Sequence, residues 1–203
     1  MNPATIPAAL RRARGPILCI GMTYLLGVLA GAVMVHAHNG AALRYRDQLV
    51  GRAVASDPSA VALSRGLPVR AALLDFARNL ALGAVPSTVM GVGVVMPFPL
   101  AAFRGWVGGI VSVDGNHHSR LRNWPANVYY VGVLLLQLLP YSLAGGAGIR
   151  LGLAFVFPKG RYGYPASGRW LGLPAEGVHD VVRIYALVAP LFLLASLVEF
   201  LAA

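Results

Sequence analysis

The stretch WPANVYYVGVLLLQLLPYSLAGGAGI, Trp124 to Ile149, contains no Asp, Glu, Lys or Arg. About 20 apolar residues carry a helix across the hydrocarbon core of a bilayer, so this run reads as a membrane-spanning helix and sets the class of the fold. Working outward, Gly15 to Val35 and Asn79 to Phe103 are also uncharged, and the shorter run Ile184 to Val198 continues through Glu199 to Ala203. Of the 203 residues, 57% are hydrophobic and 12% charged, about half the charge of an ordinary soluble domain. The expectation is an all-α, polytopic transmembrane helical bundle with four spans and a candidate fifth. It forms a single integral membrane domain over residues 1–203, with a basic lead 1–14, an interfacial segment 36–70 and a membrane core 71–203.

The fifth span arises from the second run, which Pro86, Pro97 and Pro99 interrupt. Proline removes an amide donor and clashes with the carbonyl four residues back, so one straight helix does not fit. A kinked span from Asn79 to about Met96, a turn at "PFP" and a second apolar segment from Leu100 to Val113 fit better. Arg104 makes that second segment a re-entrant element, a short tilted helix, or a span whose arginine faces protein and water.

Arginine supplies 16 of the 17 basic residues, against 7 acidic ones. They sit mostly between apolar runs, which points to anionic lipid headgroups rather than nucleic acid as counterions. Arg11, Arg12 and Arg14 place the N-terminus in the cytoplasm by the positive-inside tendency. The apolar segment after them is longer than the 7–15 residues or so of a signal peptide core, so it reads as an uncleaved span. After it, "AALRYRDQLVGRAVA" sets Leu43, Leu49, Val50 and Val54 among charges at near-helical spacing, the pattern of an amphipathic interfacial helix. Helix starts follow at Ser56 to Pro58 and at Leu67-Pro68. The lone Cys19 lies inside the first run and reads as core.

Ala144, Gly148 and Gly152 recur every four residues, as do Gly27 and Gly31, and Gly105 and Gly109. Such small-residue stripes let helix backbones approach closely in lipid. The spacing does not fit a dinucleotide-binding glycine loop. Polar residues within the apolar runs are the candidates for function: Asn79, Arg104, Gln137, Arg150 and Glu199, with Ser87, Thr88, Asn127 and Ser142 beside them. Arg150 either snorkels to an interface or pairs with Glu199, the one acidic residue in an apolar run. His117 and His118 follow Asp114 in a polar loop without the further ligands zinc requires. No hydrolase, metalloprotease or nucleotide-binding pattern occurs, so the reading is a protein without enzymatic activity, cofactor or metal.

The order "DFARNLALGAV" (Asp75 to Val85), "FRGWVGGIV" (Phe103 to Val111), "LLLQLLPYSLAGGAGIRLGLAFVFP" (Leu134 to Pro158) and "APLFLLASLVEFLAA" (Ala189 to Ala203) resembles the stage II sporulation protein M family. The resemblance covers about residues 75–203, and Glu199, Asn79 and the glycine stripe match the family pattern. Departures are Gln137 as the sole polar residue before Pro140, where the family carries an acidic one, and Arg104-Gly105 in place of Asn-Gly. The resemblance implies a multi-pass component of the bacterial cytoplasmic membrane. In that family one member acts as a scaffold for peptidoglycan hydrolases, and others accompany transport or bacteriocin maturation systems.

Two functions follow as expectations. The first is a non-enzymatic membrane scaffold or subunit that assembles with other membrane or envelope proteins, or as a homo-oligomer, through its glycine faces. The second is a small permease or transporter component, including one for peptide export, with a polar path around the proline-broken second run and Gln137.

Overall fold

The computed structural model describes residues 5–159, 162–164 and 168–201; Arg161 of the basic loop, residues 1–4 of the lead and the terminal 202–203 lie outside the described residues. Helix α1, Ile6–His36, has Thr5 as its cap, with the Thr5 hydroxyl accepting from the Ala8 amide at 3.4 Å. The basic lead is therefore not separate from the first span. Alanine and arginine are strong helix formers, Pro7 occupies the permissive first turn, and the helix runs back to Ile6. Only one stripe of α1 is buried, Ile20, Tyr24, Gly27, Gly31 and Val35 among it. Cys19, expected in the core, falls outside that stripe and is exposed.

Among the described residues three helices are long and apolar enough to cross a membrane: α1 and two more, α7 (Trp124–Val156) and α8 (Ala175–Leu201). The last run thus starts earlier than its uncharged core, because "AEGVHDVVR" joins it as helix. Between α1 and α7, α2 (Gly40–Ser56) and α3 (Pro58–Ser64) are capped by Asn39 and Asp57. Then α4 (Pro68–Arg78), a π-helical segment Asn79–Ala84 and α5 (Val85–Gly91) follow without a break, and after a turn comes α6, Pro97–Ile110.

The second apolar run is thus a helical hairpin, and its proline explains the π segment. The Pro86 ring would collide with the Leu82 carbonyl in a regular helix. Widening the preceding turn avoids that, and π segments of this kind often mark functional places. The loosened Gly83 carbonyl accepts from the Ser87 hydroxyl at 2.7 Å and the Arg104 guanidinium at 3.5 Å. The hairpin tip is tight, with Val94 held at φ 62°, a costly conformation for a β-branched residue.

Glycine contacts set the helix directions. Gly105 meets Tyr24 and Gly109 meets Val28, so α6 runs parallel to α1. Gly146 meets Ile17 and Gly21 meets Ser142, so α7 runs antiparallel to α1; Gly148 meets Thr88 and Gly152 meets Val92, so α5 runs with α7. Gln137 touches Glu199 while Leu151 faces Gly177, which makes α8 antiparallel to α7. The start of α1 and residues 157–174 therefore lie at one end of the bundle. Residues 37–67, 111–123 and the end of α8 lie at the other.

Both ends are pinned. His117 lies 3.0 Å from Asp47, His36 lies 2.8 Å from Ser119, and Tyr45 of α2 packs on Trp106 with ring centroids 5.2 Å apart. Residues 169–174 add a two-stranded hairpin, Arg169–Trp170 with Leu173–Pro174, to an otherwise helical fold. Leu171 and Gly172 take φ 51° and 83°, as a two-residue turn of the I′ kind needs.

Candidate functional site

Helical spacing puts Tyr130, Leu134, Gln137 and Tyr141 on one face of α7. At the end of the bundle that holds His36, the Gln137 amide donates to the Glu199 carboxylate at 2.6 Å, and the Tyr129 hydroxyl donates to the Glu199 carbonyl at 2.5 Å. Tyr130 donates to the Gly108 carbonyl of α6 at 2.6 Å. A cavity of about 360 Å³ opens here, lined by Tyr24, Tyr129, Tyr130, Gln137 and Glu199 with Arg120. Its charged lining is one carboxylate and one guanidinium, and Leu63, Val111, Val133, Leu134 and Phe200 make much of the rest apolar.

One turn along α8 from Glu199, the buried Ser196 hydroxyl donates to Asp75 at 2.8 Å. Asp75 is 4% exposed. It also accepts from Asn79 at 2.8 Å and Arg78 at 3.1 Å, and Asn79 in turn accepts from the Tyr141 hydroxyl at 2.8 Å. Arg104 reaches in from α6, its guanidinium 4.0 Å above the Tyr141 ring, so this arginine faces protein. Asn79 opens the π segment, which places the widened turn inside the network.

Farther along the seam, Tyr185 and Thr88 lie 2.8 Å apart and Thr88 donates to the Ala144 carbonyl at 3.0 Å. Phe192, Val188 and Ile184, all fully buried, fill the level between the polar groups and close it with an apolar layer. At the far end Asp180 accepts two bonds from Arg12 at 2.6 and 2.5 Å, one from Tyr164 at 2.8 Å and one from Arg183 at 2.9 Å. Burial pushes the Tyr164 phenol well above its ordinary range, which keeps it protonated as a donor.

The polar candidates thus separate into two groups. Gln137 and Glu199 meet, and Asn79 and Arg104 converge on Tyr141. Arg150 meets neither group. It is 4% exposed, donates to the Tyr162 carbonyl at 2.7 Å and lies 4.6 Å from the centre of the Tyr164 ring. Because α7 and α8 are antiparallel, the 13 or so residues between Gln137 and Arg150 amount to about 20 Å. The Arg150–Glu199 pairing is therefore absent. The stripes Gly27, Gly31, Gly105 and Gly109, and Ala144, Gly148 and Gly152, lie in the α1–α6 and α5–α7 contacts, where glycine Cβ atoms would strike backbone.

Asp75, Asp180, Tyr141, Tyr164 and Ser196 were not singled out by sequence reasoning, and Arg12 only as part of the basic lead. A signal existed for two pairs: Asp75 and Asn79 are four apart, Ser196 and Glu199 three, so each pair shares a helix face. Among the described residues no group of three or more His, Cys, Asp or Glu is gathered to hold a metal ion. No protein-family model matches the chain, and no curated protein or solved structure matches it at a significant level.

Proposed function

We propose that the chain is a multi-pass protein of the bacterial cytoplasmic membrane, N-terminus in the cytoplasm, that works without enzymatic activity as a small permease or transporter component for a small cation. One observation carries this reading. Glu199, Ser196 and Tyr185 lie within about 60° of one another around α8 and form a polar seam, each bonded to a polar partner on a neighbouring helix, while Asp180 points to the other side of α8 and bonds Arg12 of α1. The seam extends for about 21 Å of helix rise, about two thirds of the thickness of the hydrocarbon core, ~30 Å. Asp75, 4% exposed and bonded to Ser196 of the seam, is the ionisable group inside the bundle, and ionisable groups inside membrane bundles are expensive and mark pathways. The hairpin, whose tip reaches the level of Gly152, enters the bundle beside the three long helices and returns to the end it left, its second arm α6 of 14 residues being about 21 Å long. The apolar layer at Phe192 keeps the seam closed in this state, and the hairpin with its proline and π segment is the element that moves to open it.

The test is flux into proteoliposomes with a trapped pH dye and labelled methylammonium. The wild type is expected to carry one of these cations faster than protein-free vesicles, with Glu199→Gln and Gln137→Leu abolishing the difference. Flux at the protein-free level overturns the reading.

A second reading is the scaffold or subunit that the resemblance to the sporulation family implies. The glycine faces are occupied by the chain's own helices, so partner or homo-oligomer contacts would fall elsewhere. The observation favouring it is the stripe Leu18, Met22, Leu26, Leu29 and Val33 exposed along α1, a face for lipid or another membrane protein. Cross-linked pull-down from intact membranes through that stripe supports the scaffold; a monomer without partners counts against it.

A further inference from the structure

At the end of the bundle opposite Glu199, Arg11, Arg12, Arg14, Arg150 and Tyr162 line an open cavity of about 310 Å³, with Gly15 and Pro16 of α1 beside them. Two features make it a built site. Gly146 has no room for a side chain, since a Cβ there would lie 2.6 Å from the Ile17 Cα. That contact draws α7 onto α1 and sets Arg150, one turn on, beside the arginines of α1. Tyr162 and Tyr164 then hold the Arg150 guanidinium in place through the carbonyl bond and the ring.

The acidic residues at this end of the bundle already have partners. Asp180 is engaged by Arg12 and Arg183, and Glu176 lies 2.7 Å from Arg183. Arg150 has no carboxylate in reach among the described residues, yet it is buried. A buried guanidinium without an anion is costly. A phosphate oxyanion answers that geometry, because guanidinium groups bind phosphate through paired, charge-assisted hydrogen bonds. The cavity lies where α1 and α7 end, the headgroup level for helices of this length, and it has room for more than a bare phosphate.

We infer that this pocket binds the phosphate headgroup of an anionic phospholipid, held by Arg150 and Arg14 with Arg11 and Arg12 at its edge. The inference is independent of the transport reading. It would fix the N-terminal end of the bundle to the anionic leaflet and tie the loop at Tyr162 to lipid composition.

The experiment is thermal unfolding of the purified full chain in neutral detergent, titrated with phosphatidylglycerol, phosphatidylcholine or inorganic phosphate. Phosphatidylglycerol is expected to raise Tm and phosphatidylcholine not to. Arg14→Gln is expected to weaken the apparent affinity about tenfold, the loss of one charge-assisted contact, and Arg150→Gln to abolish the shift. Arg52→Gln, an exposed arginine of α2 at the other end, keeps the full shift. Arg14 is exposed, so its variant folds and decides the matter even if Arg150→Gln does not. Equal stabilisation by phosphatidylcholine, or full response in Arg14→Gln, overturns the site. The same shift with inorganic phosphate alone overturns the lipid as occupant in favour of a soluble phosphate.

Discussion

Gln137 and Glu199 share a hydrogen bond of 2.6 Å across the seam between α7 and α8, some four helical turns from Arg150. Removing one member leaves the other with an unmet polar group in an apolar setting. A double-mutant cycle with Gln137→Leu and Glu199→Ala is therefore expected to give a coupling of about 0.6–1.7 kcal/mol, the range for polar pairs between membrane helices. The cycle of Arg150→Ala with Glu199→Ala is expected to be additive within about 0.5 kcal/mol. Reversible unfolding in mixed micelles measures both, and coupling in the second cycle contradicts the antiparallel register of α7 and α8.

Glycine positions differ sharply in what a methyl group would meet. A Cβ on Gly91 would lie 2.6 Å from the Gly148 Cα, whereas one on Gly132 has nothing within 4 Å. Gly91→Ala is expected to cost about 1–3 kcal/mol, the penalty of forcing packed elements apart. Gly132→Ala is neutral or stabilising by up to about 1 kcal/mol, because alanine is the better helix former. Equal effects in an unfolding series would mean that α5 and α7 are not in backbone contact.

The membrane class and the long helices were legible because a run such as Trp124 to Ile149 has one physical meaning whatever its neighbours. The hairpin was only half legible. Pro86 announces a break, but whether a helix kinks, stops or widens into a π turn depends on what takes up the freed Gly83 carbonyl, and Ser87 and Arg104 do so from different distances along the chain. Spacing marked the small-residue stripes but could not name their partners. Asp75 and Asp180 escaped notice for a related reason. Both lie in charged stretches that resemble solvated faces, and only the crossing of α4 with α8 and of α1 with α8 buries them. Arg150 and Glu199 were drawn together by charge, since pairing the conspicuous opposite charges ignores where antiparallel helices place them.

Acid should loosen the loop contact between α2 and residues 111–123. The Asp47 carboxyl is held below the usual aspartate range first by its hydrogen bond from Arg46 and next by the one from His117. A lowered folded-state value means that this stabilisation is fully present above the unfolded value of about 3.9. It is lost as pH falls through the folded value. Asp47 is well exposed, so the effect is small, under about 1 kcal/mol. The expected result is a shallower acid limb of stability in Asp47→Asn between about pH 4 and pH 2, read by unfolding at fixed ionic strength. A limb identical to wild type would mean that the contact contributes nothing.

Helix directions also fix which loops share an end of the bundle. His118 and Trp170 lie at opposite ends of the bundle, and Trp170 shares its end with the start of α1; on the proposed topology, with α1, α7 and α8 crossing, the two positions face opposite sides of the membrane. In a Cys19→Ser background, His118→Cys and Trp170→Cys are both exposed positions away from the polar seam. In sealed, oriented vesicles a charged, membrane-impermeant maleimide is expected to label one from outside and the other only after permeabilisation. Native Cys19, exposed on the outer face of α1, is expected to resist the charged reagent in both conditions and to react with an apolar one that dissolves in lipid. Labelling of both loop positions from the same side requires an even number of crossings between them, and that would overturn α7 as a membrane span.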